Sequence, residues 1–179
     1  SVDYIRRMKA AGIHVTAETC PQYFTLTEEE IEKQGAMAKV NPPLRTRADV
    51  EAILEGLEDG TLDCIITDHA PHTVEEKARE LPKAPSGMVG LETSLALSLT
   101  VLHHQLGWPL MKVLRAMSTA PAGILQLDAG SLRVGAPADI VLFDPEETWT
   151  VRPEAFASKG RNTPFAGWEL KGRVRCTVV

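Results

Sequence analysis

The sequence predicts an α/β fold in two segments: part of a (β/α)8-type barrel over residues 1–128, then a small β segment over residues 129–179. Three observations carry that expectation. Strand and helix patterns alternate along the first segment, which argues for parallel strands joined by right-handed crossovers. The apolar run Cys64-Ile65-Ile66 stops abruptly at Thr67-Asp68-His69-Ala70-Pro71-His72, as a buried parallel strand does when it delivers polar groups to the carboxyl edge of a barrel. After Asp128 the texture changes to glycine, proline and alternating β-branched residues.

The elements follow in order. Ser1 caps a helix through Ala11, with Val2, Ile5 and Met8 on one face and Gly12 at its end. Ile13 to about Glu18 reads as a strand. Thr27 and Glu30 have capping-box spacing for a short acidic helix that stops at Gly35, and Ala36 to Val40 reads as the next strand. Thr46 to Leu57 is a helix that buries Val50, Ile53, Leu54 and Leu57. After the Cys64–Thr67 strand comes a strongly apolar helix, Leu91 to Leu106. Gly107 and Pro109 interrupt it, and Leu110 to Met117 forms another. Pro121 suits the first turn of a shorter helix through Leu127. Strands are expected at Ile140–Phe143, at Trp149–Val151 and from Gly172 onward. Only about three strands are of barrel type, whereas a complete barrel has eight over about 250 residues. The chain is therefore expected to build only part of such a barrel.

Composition narrows the function classes. A hydrophobic fraction of 44% with 24% charged residues is ordinary for a globular protein. The net charge of −5 and the lack of a basic cluster argue against a nucleic-acid partner. No apolar run reaches the roughly 18 residues that span a bilayer. Cys20, Cys64 and Cys176 are odd in number and lack CxxC spacing, which argues against a disulfide framework and for a cytoplasmic protein.

Polar residues gather at the ends of apolar segments. Lys39-Val40-Asn41-Pro42-Pro43-Leu44-Arg45 ends one stretch, Thr67 to His72 ends the next, and Ser86-Gly87-Met88-Val89-Gly90-Leu91-Glu92-Thr93 opens the long helix. Together they suggest one composite site. Asp68 taken alone is equally a helix cap or turn former. His69 is best read as structural, and His14 as a satisfied strand residue. His103 and His104, neighbours on a helix, project about 100° apart, which disfavours a shared ion. Trp108, Trp149 and Trp168 read as packing residues.

With the closing segment Gly130-Ser131-Leu132-Arg133-Val134-Gly135-Ala136-Pro137-Ala138-Asp139-Ile140-Val141-Leu142-Phe143, these motifs resemble the dihydroorotases of the amidohydrolase superfamily from end to end of the chain. The resemblance implies a metal-dependent hydrolase barrel with a β segment of a composite β-sandwich. It implies reversible interconversion of carbamoyl-aspartate and dihydroorotate in pyrimidine biosynthesis, with two zinc ions polarising a carbonyl and activating water. It makes Asp68 a metal ligand and proton shuttle. It assigns Asn41, His72, Ser86 and Gly87 to the small-molecule substrate. The other metal ligands and a substrate-carboxylate arginine are expected upstream of Ser1, so the chain by itself is expected to be inactive. One departure matters: Ala17-Glu18-Thr19-Cys20-Pro21-Gln22-Tyr23-Phe24 resembles hydantoinases and dihydropyrimidinases, because many dihydroorotases carry two histidines where Gln22 and Tyr23 stand. A hydantoinase, dihydropyrimidinase or allantoinase is therefore the alternative enzyme. A silent homologue scaffolding aspartate transcarbamoylase is the alternative outside catalysis, and a homo-oligomer is a further expected association.

Overall fold

The computed structural model describes residues 1–179. Helix α1 (Val2–Ala10) leads to strand β1 (Glu18–Thr19), and α2 (Pro21–Thr25) and α3 (Glu29–Gln34) follow. Helix α4 (Arg47–Glu58) begins at a capping box, where Thr46 and Asp49 satisfy each other's backbone N–H groups. Strand β2 (Cys64–Ile65) pairs in parallel with β1, Glu18 opposite Cys64 and Thr19 opposite Ile65. An isolated parallel bridge joins His69 to Met88 outside the two strands. The crossover from β1 to β2 brings the chain back in the same direction, so Cys20 and Asp68, which follow the two strands, lie toward one end of the sheet.

Two expected strands are corrected. Ile13 to Ala17 does not pair; only Glu18 and Thr19 lie beside a partner strand, and Ile13 and His14 are exposed. Ala36 to Val40 contains a 3₁₀ turn (Gly35–Ala38) in place of a ladder. Gly35, at φ +55, turns the chain out of α3, and the small Ala36 and Ala38 side chains are buried. The Lys39 carbonyl then accepts from the Gly87 N–H at 2.9 Å, an isolated bond rather than a strand pairing.

Helix α5 (Val74–Lys77) starts at a second capping box, Thr73 with Glu76. The long apolar helix is α6 (Ser94–Ser98) continued by a π-helical stretch, Leu99–Gln105. The two helices expected after Pro109 form one run: α7 (Leu110–Leu114), a π turn over Arg115–Thr119, and α8 (Ala120–Ile124). Pro121, which has no N–H to give to the ladder, is tolerated just after that wider turn. The expected strands at 140–143 and 149–151 are one irregular strand, β3 (Ile140–Thr150), antiparallel to β4 (Glu169–Val178). Its register slips between Asp144 and Thr148, where the Asp144 carboxylate accepts from the N–H groups of Glu146 and Glu147.

Secondary structure changes character near residue 128, yet the packing runs across it. One buried cluster joins Leu26, Val40, Leu44, Met88, Val89 and Leu97 to Val151, Phe156, Phe165 and Leu170. A second gathers Phe24, Ile65, Leu99, Leu102, Trp108 and Val113 beneath the parallel strands. Thr100 on the long helix accepts from the Lys171 N–H at 2.8 Å, binding that helix to β4.

Candidate active site

Asp68 stands three residues beyond the β2 ladder, at φ +49, a left-handed conformation that few non-glycine residues adopt. Such backbone is found where surrounding structure fixes it, often at functional positions. Its exposed side chain lines a cavity of about 590 Å³ together with Glu18, Thr19, Cys20, Tyr23, Asn41, Pro42, Arg45 and Ile66. No ion pair within the chain engages the Asp68 carboxylate. The cavity therefore unites two of the expected residues, Asp68 and Asn41, on the ends of different apolar segments.

Tyr23 supports the Asn41 turn, its phenol donating to the Pro42 carbonyl at 2.8 Å. Burial, the nearby Cys20 and the Asp68 charge all push the phenol pKa up, so it remains a donor. Cys20 is 4% exposed; burial first, then the charges of Asp68 and Glu18, push its thiol up to about 12. At pH 8 only about one thiol in 10⁴ would be ionised, against roughly a quarter for an ordinary cysteine. A disulfide-exchange reagent should accordingly label exposed Cys176 rapidly and reach buried Cys20 and Cys64 only with denaturant. Fast labelling of Cys20 in the native chain would contradict this environment.

His72, Ser86 and Gly87 form a neighbouring group outside the cavity's walls. His72 Nε2 donates to the Ser86 carbonyl at 3.0 Å, while Nδ1 faces Glu76 at 3.6 Å. The Nε2–H is thus engaged within the loop, and the imidazole must turn from Ser86 before that nitrogen can bind anything else. Gly87 has φ +133, and a Cβ there would lie 2.6 Å from the Ala70 Cβ and 3.1 Å from the Ala70 carbonyl. Gly87→Ala should therefore destabilise the protein by about 1–3 kcal/mol and displace His72; a urea midpoint within error of the parent would refute this reading of the turn. His69 Nδ1 accepts from the Gly90 and Leu91 N–H groups at 3.1 and 3.4 Å, a structural task.

The two groups are tied together by residues that the motifs did not single out. Lys77 is 3% exposed and donates to the carbonyls of Lys39, Pro85 and Gly87 at 3.5, 3.1 and 2.9 Å. Burial, then the Lys39 charge, lowers its pKa, and the converging carbonyls compensate the ammonium. The Lys39 ammonium donates to the carbonyls of Leu81, Pro82 and Ala84. Asn162, 2% exposed, donates to Ala70 and Gly87 carbonyls at 3.0 and 3.1 Å and accepts from the His72 N–H at 3.0 Å. The Thr73–Glu76 capping box could have revealed the helix that carries Lys77. Asn162, some 90 residues from its partners, left only the turn-like Asn-Thr-Pro sequence as a signal.

The sequence profile of the amidohydrolase family matches residues 1–179. The chain belongs to this family. Among curated relatives, the dihydroorotase of Clostridioides difficile (strain 630) is 52% identical over 99% of this chain and 42% of its own length, and that of Syntrophus aciditrophicus is 51% identical over 100% and 42%. The chain thus spans about two fifths of these amidohydrolases. Among solved structures, the L-hydantoinase (dihydropyrimidinase) of Arthrobacter aurescens aligns over 99% of this chain and 41% of its own, with a TM-score of 0.93 and 32% identity. The fold is accordingly that of the α/β metal-dependent amidohydrolases.

In the cavity of this amidohydrolase the Asp68 carboxylate, exposed and free of cationic partners, could donate to a metal. Asp3, Glu18 and Asp49 are the other carboxylates on the same walls, but no histidine lines them. Residues 1–179 therefore fit one side of a metal centre.

Proposed function

We propose that residues 1–179 are the carboxyl-terminal part of a dihydroorotase, comprising the last strands of its (β/α)8 barrel and a β hairpin that belongs to a composite sandwich. The observation that carries this reading is the Asp68 carboxylate, unpaired, beside Asn41 in one cavity at the end of the parallel strands. The roughly 50% identity to dihydroorotases along the whole chain supports the substrate class. Residues 1–128 are the barrel portion and 129–179 the β segment in this proposal, sharing one core. The remaining barrel strands and histidine ligands belong to polypeptide outside residues 1–179.

Two zinc ions, when bound in the complete enzyme, supply Lewis acidity toward the ring carbonyl and acidify water. Asp68 would hold one of them, and its carboxylate would accept the proton that the attacking water loses and return it to the ring nitrogen as the C–N bond breaks. Ring closure reverses those transfers. Asn41 donates to, or accepts from, the ring amide. His72, Ser86 and Gly87 close over the substrate once the imidazole turns from the Ser86 carbonyl. Soluble cytoplasmic placement, with three unpaired cysteines, belongs to the same proposal, as do homo-oligomerisation or association with aspartate transcarbamoylase.

One observation favours a second reading. Hydantoinases are among the solved structures that match, and Gln22 and Tyr23 resemble the motif of that group. Side-by-side assays of the full-length protein at equal metal loading decide between the two. Dihydroorotate and carbamoyl-aspartate should be turned over in preference to hydantoin and dihydrouracil; the opposite preference would move the protein to the hydantoinases.

A further inference from the structure

A second set of ligand-type side chains lies outside the cavity. His103 and His104 occupy the π-helical stretch Leu99–Gln105, and Glu146 lies in the irregular middle of β3. Neighbouring side chains diverge somewhat less on a π turn, which has more residues per turn than an α-helix. The two imidazole centroids stand 4.7 Å apart, and one donor atom from each of the three residues lies within 4.8 Å of the others. None of the three lines the Asp68 cavity.

Hydrogen bonding leaves the histidines in a ligating form. His103 Nδ1 lies 2.6 Å from the Trp108 carbonyl, and His104 Nε2 lies 2.9 Å from the Pro145 carbonyl. A carbonyl only accepts, so each of these nitrogens carries a proton; in the neutral ring the lone pair is on His103 Nε2 and His104 Nδ1. Metal-bound histidines are held in just this way, by an acceptor on the far nitrogen that sets both tautomer and orientation. The Trp108 carbonyl belongs to a buried residue of the second core cluster. Pro145 immediately precedes Glu146, so one short segment orients His104 and presents the carboxylate. Glu146 is otherwise engaged only by Lys171, at 3.4 Å and exposed, a contact that contributes little. Short π-helical turns recur at functional sites.

We propose that His103, His104 and Glu146 form a zinc site, separate from the cavity, that fastens the end of the long helix to β3. Two imidazoles and a carboxylate are a standard zinc donor set with a fourth position left for water. Donors on a tetrahedral zinc lie about 3.4 Å apart, so the group must close by up to roughly 1.4 Å, and the Glu146 side chain, being exposed, is free to move toward the imidazoles. The site binds zinc whether or not the dihydroorotase reading holds.

The test is titration of the full chain with zinc against a chromophoric chelator, with cobalt as a spectroscopic substitute. We expect about one equivalent, with d–d absorption typical of tetrahedral nitrogen and oxygen ligands. His104→Ala and Glu146→Gln should each weaken zinc binding by at least roughly tenfold, and Glu80→Gln, at an exposed carboxylate outside the group, should leave it unchanged. Glu146 is exposed, so Glu146→Gln keeps the test valid even if a histidine variant misfolds. Absence of binding, or binding by the His104→Ala and Glu146→Gln variants as tight as that of the parent, would each overturn the proposal.

Discussion

Asp68→Asn in the full-length protein is expected to lower kcat by about 10²–10⁴-fold, the usual contribution of a positioned acid or base. Asparagine is the informative replacement because it accepts the left-handed backbone that Asp68 adopts, whereas alanine would add strain and confuse chemistry with folding. The amide keeps the size of the carboxylate but can neither take up the proton nor offer an anionic oxygen. Since Asp68 is exposed and engaged by no ion pair of the chain, its circular dichroism and unfolding midpoint should match the parent. Turnover at substrate saturation and elemental analysis of bound metal are the two readouts. Near-normal values for both would remove Asp68 from the mechanism; lost metal with residual turnover would confine it to ligation.

Phe165→Ala is expected to cost about 3–5 kcal/mol of folding stability, a large share of the roughly 5–15 kcal/mol available to a domain. The ring is 1% exposed, belongs to the cluster that includes Met88, Val89 and Leu97, and meets Trp168 edge-on at 5.2 Å. Truncation opens a cavity exactly where residues 151–170 pack on the parallel strands. Because Asn162 sits three residues earlier and secures the Ala70 and Gly87 carbonyls, the loss should also loosen the His72 loop. Denaturation in urea measures the first effect, and hydrogen exchange at the Met88 and Val89 amides the second. A loss below about 1 kcal/mol would mean that the cavity refills by local collapse.

What the sequence by itself determined was local. Capping at Thr46, the apolar face of α4, the abrupt polar end of the Cys64–Ile66 run and the glycine at position 87 all follow from neighbours within a few residues, because capping, helical periodicity and backbone freedom are short-range effects. Those same effects brought out Asp68 and Asn41 as ends of separate segments. Only the tertiary structure decided which segments pair. Ile13–Ala17 has strand composition but finds no partner edge, and β propensity without a partner does not make a strand. Ala36–Val40 gave its buried positions to packing and took a 3₁₀ turn. The two short strands at 140–150 became one because Asp144 bridges the irregularity between them. The supports of the site were the least legible part. Lys77 and Asn162 act through carbonyls far away in sequence, and carbonyls are the same in every residue, so no motif marks them. Likewise, the proximity of His103, His104 and Glu146 arises from a π-helical turn and a strand irregularity, both of which depend on contacts between distant segments rather than on the spacing of side chains along the chain.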